Sequence, residues 1–254
     1  MPLKDWDVKI YRGILTGFNE AFIIDNKKRE ELIAKDPKST DIIRPLLRGR
    51  DIRRYSYQFA DLYLITTFPS LNIDIDNYPA VKQHLINFGY DRLKQTGDQG
   101  SRKKTNNQWF ETQDSISYWE DFYKQKIIWK RVGSLLRFSF DDAGCFALDS
   151  TCFSTGKHLK YLVGILNSKI GKYILKNAPQ TGTGDLLISV QAIEPLKIPI
   201  PDIIVEQRFN TLVDSILETC GNNDFVKEIE NELDKMSYRI YDFNEEEIEF
   251  IEYQ

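Results

Sequence analysis

The stretch from Tyr161 to Asp202, YLVGILNSKIGKYILKNAPQTGTGDLLISVQAIEPLKIPIPD, constrains this chain more than any other. Leu162, Val163, Leu166, Ile170, Tyr173 and Ile174 fall on one face at the helical period. The spacing predicts a helix with that face inward and Lys169, Lys172 and Lys176 in a stripe outside it. Pro179 and the run Thr181 to Asp185 end the helix and supply backbone that bulkier residues would resist. A short β-type run follows, Leu186 to Val190. The segment from Pro195 to Pro201 is extended, and each proline in it removes a backbone donor, so it is an edge or a strap and not a central strand. Asp202 stands where a new helix needs a cap.

Upstream, Tyr11 to Asp25 reads as two short strands around a Gly-Phe-Asn turn, followed by a short helix from Lys27 to Ala34. Arg44, Arg48, Arg50, Arg53 and Arg54 then crowd into DIIRPLLRGRDIRRY. Asp61 to Phe68 is a β-run. Pro79 opens a helix with Val81, Leu85 and Phe88 inward, and His84 beside that stripe reads as a packing histidine. Thr96 to Gln108 contains no apolar residue and forms a long polar loop, a class that in compact domains is functional or disordered. Lys126 to Val132 and Leu135 to Phe140 are strands. Asp141 to Gly144 is a turn, and Cys145 to Phe153 returns, which predicts a hairpin. Trp109 and Trp129 read as core. Beyond Asp202, Phe209, Leu212, Val213, Ile216 and Leu217 keep helical spacing, Gly221 is the expected C-cap and Asp224 the next N-cap. Val226, Ile229, Leu233, Met236 and Ile240 form a short coiled-coil-like seam that must pack on the preceding helix or on a partner. Asn244 caps a last helix headed by three glutamates.

A chain of 254 residues suits one large domain or two small ones, and its 41% hydrophobic and 28% charged content is that of an ordinary globular protein. No apolar run approaches the ~20 residues of a membrane span, and the N-terminus lacks the apolar core of a signal peptide. Cys145, Cys152 and Cys220 are too few and too scattered for a disulfide framework or zinc ribbon, and His84 and His158 are the only histidines. A reducing cytoplasm and no membrane partner are the simplest expectations. The net charge of −4 is unevenly spread: from Asp202 onward 15 acidic side chains face four basic ones, which leaves residues 1–201 with an excess of seven positive charges. A basic body with an acidic end is compatible with nucleic-acid binding by the body, and equally with an ordinary solvated surface.

Several words of the sequence occur together in order. They are GILTGFNEAFIID (13–25), PLLRGRDIRRY (45–55), WFETQ (109–113), the KII and DSTCF of the central strands, GILNSK (164–169), LKIPIP (196–201) and YRIYDFNEEEIEFIE (238–252). This succession resembles the target recognition domain of type IIG (Eco57I/TaqI-like) restriction–modification enzymes. The later part is also similar to type I specificity subunits, which usually lack the opening words. Thr112 stands where the family usually has Leu. The resemblance implies that the chain is part of a longer one. That parent would methylate adenine in DNA using S-adenosylmethionine, with or without a Mg2+-dependent endonuclease, and the methyltransferase domain of the same chain, or a separate subunit, would be a partner.

The catalytic words of such a parent are missing here. There is no N-P-P-[YFW] loop to bind an adenine amino group and no glycine-rich strand-to-helix turn for a cofactor. Gly182-Thr183-Gly184 follows a helix and precedes a strand, the reverse of the dinucleotide order. Pro201-Asp202 with Glu206-Gln207-Arg208 is too tightly spaced for a nuclease metal site, so neither cofactor nor metal is expected in this chain. What is present suits duplex DNA: Arg and Lys neutralise phosphates, Arg also reads guanine, and Asn and Gln read adenine. Arg102, Lys103, Lys104, Asn106, Asn107 and Gln108 hold all of these in one loop. With Arg48, Arg50 and Arg53, and Lys169 and Lys172 of the helical stripe, they are the expected DNA-binding residues; none is expected to be catalytic. The expected architecture is an α+β recognition domain over residues 1–201 followed by a helical unit over 202–254. Two other readings remain open at this point, an independent type I specificity-like subunit that recruits methyltransferase subunits, and a protein-interaction module that never touches DNA.

Overall fold

The computed structural model describes residues 1–219 and 223–253. Its centre is an antiparallel sheet in the order β1 (Val8–Arg12), β9 (Thr151–Gly156), β5 (Lys126–Lys130), β7 (Phe138–Asp141). Side chains alternate across a strand, and here both sides are apolar. Ile128 and Phe153 point into one core while Ile127, Trp129, Phe138 and Cys152 point into another. That is why KIIWK is an unbroken apolar run between two lysines rather than an alternating one.

The first core is closed by a second sheet, β2 (Ile23–Asp25), β4 (Leu62–Ile65), β3 (Ile43–Leu47) and β8 (Phe146–Ala147), antiparallel except for the parallel β3–β8 pair. Helices α1 (Asn19–Phe22), α2 (Asn26–Lys35), α3 (Pro79–Ile86) and α4 (Tyr90–Leu93) flank it. The second core is closed by α5 (Leu159–Asn167), α6 (Lys169–Leu175), α7 (Val190–Ile193), α8 (Ile203–Glu218) and α9 (Asn223–Ile240), with α10 (Glu245–Glu252) packed on α6. Phe209, Val213 and Leu233 of the acidic end are therefore buried in the same core as Trp129 and Leu162 of the basic body.

The α+β architecture agrees with expectation, and so do several local features. Pro79 opens α3, with Val81 and Leu85 buried; Asp202 Oδ1 accepts the Val205 amide at 2.8 Å; Asn244 and Glu247 cap α10 reciprocally. Other expectations fail. The single helix after Tyr161 is two, because the Ser168 hydroxyl accepts the Gly171 amide at 3.2 Å and starts α6 afresh. The β-run from Leu186 shrinks to β10 (Leu186–Leu187), which pairs with β6 (Val132–Gly133) and gives way to α7. The hairpin expected from Cys145 to Phe153 does not form: after β7 the chain crosses to the second sheet as β8 and returns as β9 to pair with β5 and β1. Helix α9 opens at Asn223, so Asp224 lies in its first turn instead of capping it. Gly221 and Cys220 lie outside the described residues.

Candidate functional site

The polar loop is organised by a buried side chain. Arg102 is 5% exposed, and its guanidinium donates to the carbonyls of Leu93 (2.8 Å), Thr16 (3.1 Å), Glu111 (2.8 Å) and Trp109 (2.7 Å), with its face over the Phe22 ring. Burial pulls its pKa down to about 10, and Glu111 opposes that pull. Arg102 is thus withdrawn from solvent and cannot read DNA, which corrects its assignment. A fixed fork of five donors fits such a position, because a loop without secondary structure must find partners for its own carbonyls. Asn107 acts likewise, its amide donating to the Thr112 and Gln113 carbonyls at 3.0 Å each, so it too leaves the candidate set. Gln95, also buried, holds the Gln108 and Glu111 carbonyls. What the scaffold leaves exposed is Lys103, Lys104, Asn106 and the Gln108 side chain.

The arginine cluster divides in the same way. Arg48 forms a two-pronged bond to Asp51 at 2.9 and 2.8 Å and is mostly buried, which removes it. Arg53 folds back onto the Arg50 and Ile52 carbonyls and Gln58. Arg44 closes on backbone carbonyls and Tyr123, and Arg54 bridges Asn167 O and Glu230. Arg50 is exposed and has no side-chain partner among the described residues. It lines a cleft of about 540 Å3 together with Asn19, Lys130 and Ser150. Thr16, whose carbonyl holds Arg102, donates its hydroxyl to Asn19 at 2.7 Å, so this cleft and the polar loop share one scaffold.

A second, larger cleft of about 680 Å3 opens between the segment 134–137, the α5–α6 junction and α9. Asn167 shapes it: its amide donates to the Phe138 carbonyl at 2.7 Å and its side-chain oxygen accepts the Phe138 amide at 3.1 Å, as a neighbouring strand would. Lys169 lines this cleft but is paired with Glu252, while Lys172 is exposed and has no partner among the described residues. Arg137, which sequence reasoning passed over, also lines the cleft without a side-chain partner among the described residues. Its only signal was its place beside a strand that pairs elsewhere. Opposite these cations stand Glu230 and Asp234. Burial pushes both carboxyls above their ordinary values, against the pull of Arg54 on Glu230 and of the Lys169 amide on Asp234.

Among the described residues no group of three or more His, Cys, Asp or Glu could hold a metal ion. Burial raises the Cys145 and Cys152 thiols to about 12 and about 11. His84, its pKa lowered by burial, bonds the Ala21 carbonyl at 3.0 Å and packs against Phe88. No described helix is long and apolar enough to cross a membrane.

Known proteins share this fold. Residues 44–200 match the family of TaqI-like C-terminal specificity domains, and the chain belongs to that family. Its fold is similar to part of the type IIL restriction–modification enzyme MmeI, solved in complex with DNA, with a TM-score of 0.66 at 11% identity over 96% of this chain. It is also similar to part of the type IIG restriction endonuclease BpuSI, with a TM-score of 0.51 at 15% identity over 94% of this chain. The chain spans about a third of the length of each, 34% and 31%. No curated protein matches it.

Proposed function

We propose that this chain recognises a specific sequence of duplex DNA as the target recognition part of a restriction–modification enzyme. Membership of the specificity-domain family over residues 44–200 carries this reading. The two clefts support it, because each presents cations that form no ion pair among the described residues, although carboxylates line both clefts: Arg50 and Lys130 beside Glu20 in one, Arg137 and Lys172 across from Glu230 and Asp234 in the other. Exposed Lys103 and Lys104 add to the same charge. The parent enzyme would carry adenine methylation with S-adenosylmethionine, with or without Mg2+-dependent cleavage, in a part outside these residues. The family resemblance supports that extension, and phage defence is the role it implies. An exposed patch of Ile200, Ile203 and Ile204 is a surface that such a methyltransferase domain could cover. The seam of α9 faces inward onto α5 and α8, which leaves it unavailable for recruiting a separate subunit and favours the single-chain parent over a type I-like subunit. Cytoplasmic residence fits Cys145 and Cys152, both buried and free among the described residues.

Binding of the 254-residue chain to ~20-bp duplexes over a range of salt tests the proposal. Six cations without an ion pair among the described residues, each meeting one phosphate, predict a plot of log K against log salt with a slope of about −5. Absence of binding, or binding indifferent to salt, would sink it.

A further inference from the structure

Between β5 and β7 the chain makes an excursion, Lys130 to Arg137, that leaves the central sheet. Its outgoing limb, β6, pairs with β10 and not with β7. β10 is one limb of a tight turn in which the Thr181 amide donates to the Asp185 carbonyl (2.8 Å) and the Gly184 amide to the Thr181 carbonyl (3.0 Å), with Gly184 at φ +83°. The result is a two-stranded ribbon whose free edges are Ser134, Leu135, Gly182, Thr183 and Gly184, all exposed. Its root is fixed. Trp129 Nε1 donates to the Ile188 carbonyl at 2.8 Å, the Ile188 amide to the Arg131 carbonyl at 2.8 Å, and Asn167 holds Phe138 from both sides.

Two features of the ribbon are unexplained by folding. Leu135 is 63% exposed at its tip, where an apolar side chain contributes nothing to either core. The ribbon also stands between the two clefts. Lys130 lies against Gly133 on one side, its Nζ 3.2 Å from where a Cβ would stand, and lines the cleft that holds Arg50. Leu135, Leu186 and Gln180 line the other, with Arg137 and Lys172. A projecting ribbon flanked on both sides by cations that form no ion pair among the described residues matches one feature of duplex DNA, a groove bordered by two phosphate backbones. The major groove admits a two-stranded ribbon and the minor groove does not distinguish T·A from A·T.

We propose that the β6–β10 ribbon enters the major groove and determines the base sequence selected, with Leu135 against a thymine methyl and Gln180 and Thr183 at base edges. Arg50 and Lys130 would hold one phosphate backbone, Arg137 and Lys172 the other. This rests on the reading of the chain as a DNA recognition domain. It moves base selection away from the polar loop, whose best-placed readers, Arg102 and Asn107, are committed to backbone carbonyls.

The deciding experiment is selection from a pool of duplexes with a randomised centre, using the 254-residue chain. The wild-type chain should enrich one motif. Leu135→Ser, Gln180→Ala and Thr183→Ala, all at surface positions, should melt as the wild type does and enrich an altered or relaxed motif. Arg137→Gln with Lys172→Gln should weaken selected and unselected duplexes alike and reduce the salt slope by about two. Replacing thymine by uracil in the selected duplex should weaken the wild-type chain about fourfold at one position, as expected for one buried methyl, and leave Leu135→Ser unaffected. If the wild-type chain enriches a motif and every ribbon variant enriches the same one, the ribbon does not read DNA. Motif changes confined to Asn106→Ala and Gln108→Ala would return selection to the polar loop. A wild-type chain that enriches nothing overturns both the ribbon and the recognition function.

Discussion

Four carbonyls served by one guanidinium decide how the polar loop responds to substitution. Removing Arg102 takes the side-chain donor from the Leu93 and Trp109 carbonyls, whereas Thr16 O keeps the Gln113 amide and Glu111 O keeps Gln95, at a cost of about 1–3 kcal/mol for each carbonyl left unpaired where water cannot reach. Arg102→Ala should therefore lower stability by about 3 kcal/mol or more, and Arg102→Lys should rescue little, since three donors on a flexible stem do not reproduce the fork. Lys104→Ala, at an exposed side chain with no partner among the described residues, should stay within about 0.5 kcal/mol of wild type. Urea denaturation of the three variants checks this, and an Arg102→Ala chain as stable as the Lys104 variant would refute it. The residue types of this loop were legible in the sequence; their directions were not. An unbroken polar run shows only that no side chain joins an apolar core. Whether an arginine in it faces water or staples the loop from within depends on where distant carbonyls such as that of Thr16 come to lie. The same holds for Asn167, visible as one letter of a family word but not as the residue that pins β7.

At the scale of elements, periodicity and caps were read well wherever the deciding contacts are local. Asp202 and Asn244 cap the helices they precede, and Pro79 opens α3. Reading failed where pairing partners are distant in sequence. β8 leaves its neighbours to join β3, and β6 joins β10, and neither switch leaves a mark on the strands' own residues. Helix packing gives a sharp test. At Gly164 a Cβ would stand 2.7 Å from Phe209 Cδ1, so α5 and α8 approach each other across a missing side chain. Gly164→Val should cost about 2 kcal/mol, overpacking of ~1–3 kcal/mol outweighing any gain in helix propensity. Adding Phe209→Leu should restore part of it. Thermal melts of the single and double variants decide: independent, additive losses would show that the two positions do not meet.

The whole molecule joins a basic body to an acidic end through a shared core, and this has consequences for both stability and binding. Ending the chain before Asp202 removes Phe209, Val213, Ile216 and Leu233 from the second core and uncovers Tyr161 and Gly164, on which Phe209 packs. A truncated chain should lose cooperative melting or aggregate, and one that melts as before would mean that the helices are dispensable. Electrostatically the acidic end touches the candidate DNA surface at one place, the larger cleft, where Glu230 and Asp234 face Arg137 and Lys172. Burial holds both carboxyls above their ordinary values, so they protonate before the exposed carboxylates as pH falls. The sign follows from which form binds more protons: the folded state takes them up first, so these two groups favour folding more at mildly acidic pH and disfavour it as pH rises through their folded values. Each proton also removes a negative charge from the cleft. DNA affinity at fixed salt should therefore rise as pH is lowered from 7 toward the range where these carboxyls titrate; the cations lining the cleft with them include Arg54, Lys169, Lys172 and Arg137. Glu230→Gln with Asp234→Asn should bind more tightly at pH 7 and show a flatter profile, the Asn oxygen still accepting the Lys169 amide. Equal pH dependence in wild type and double variant, measured on the same duplex, would place the DNA away from this cleft.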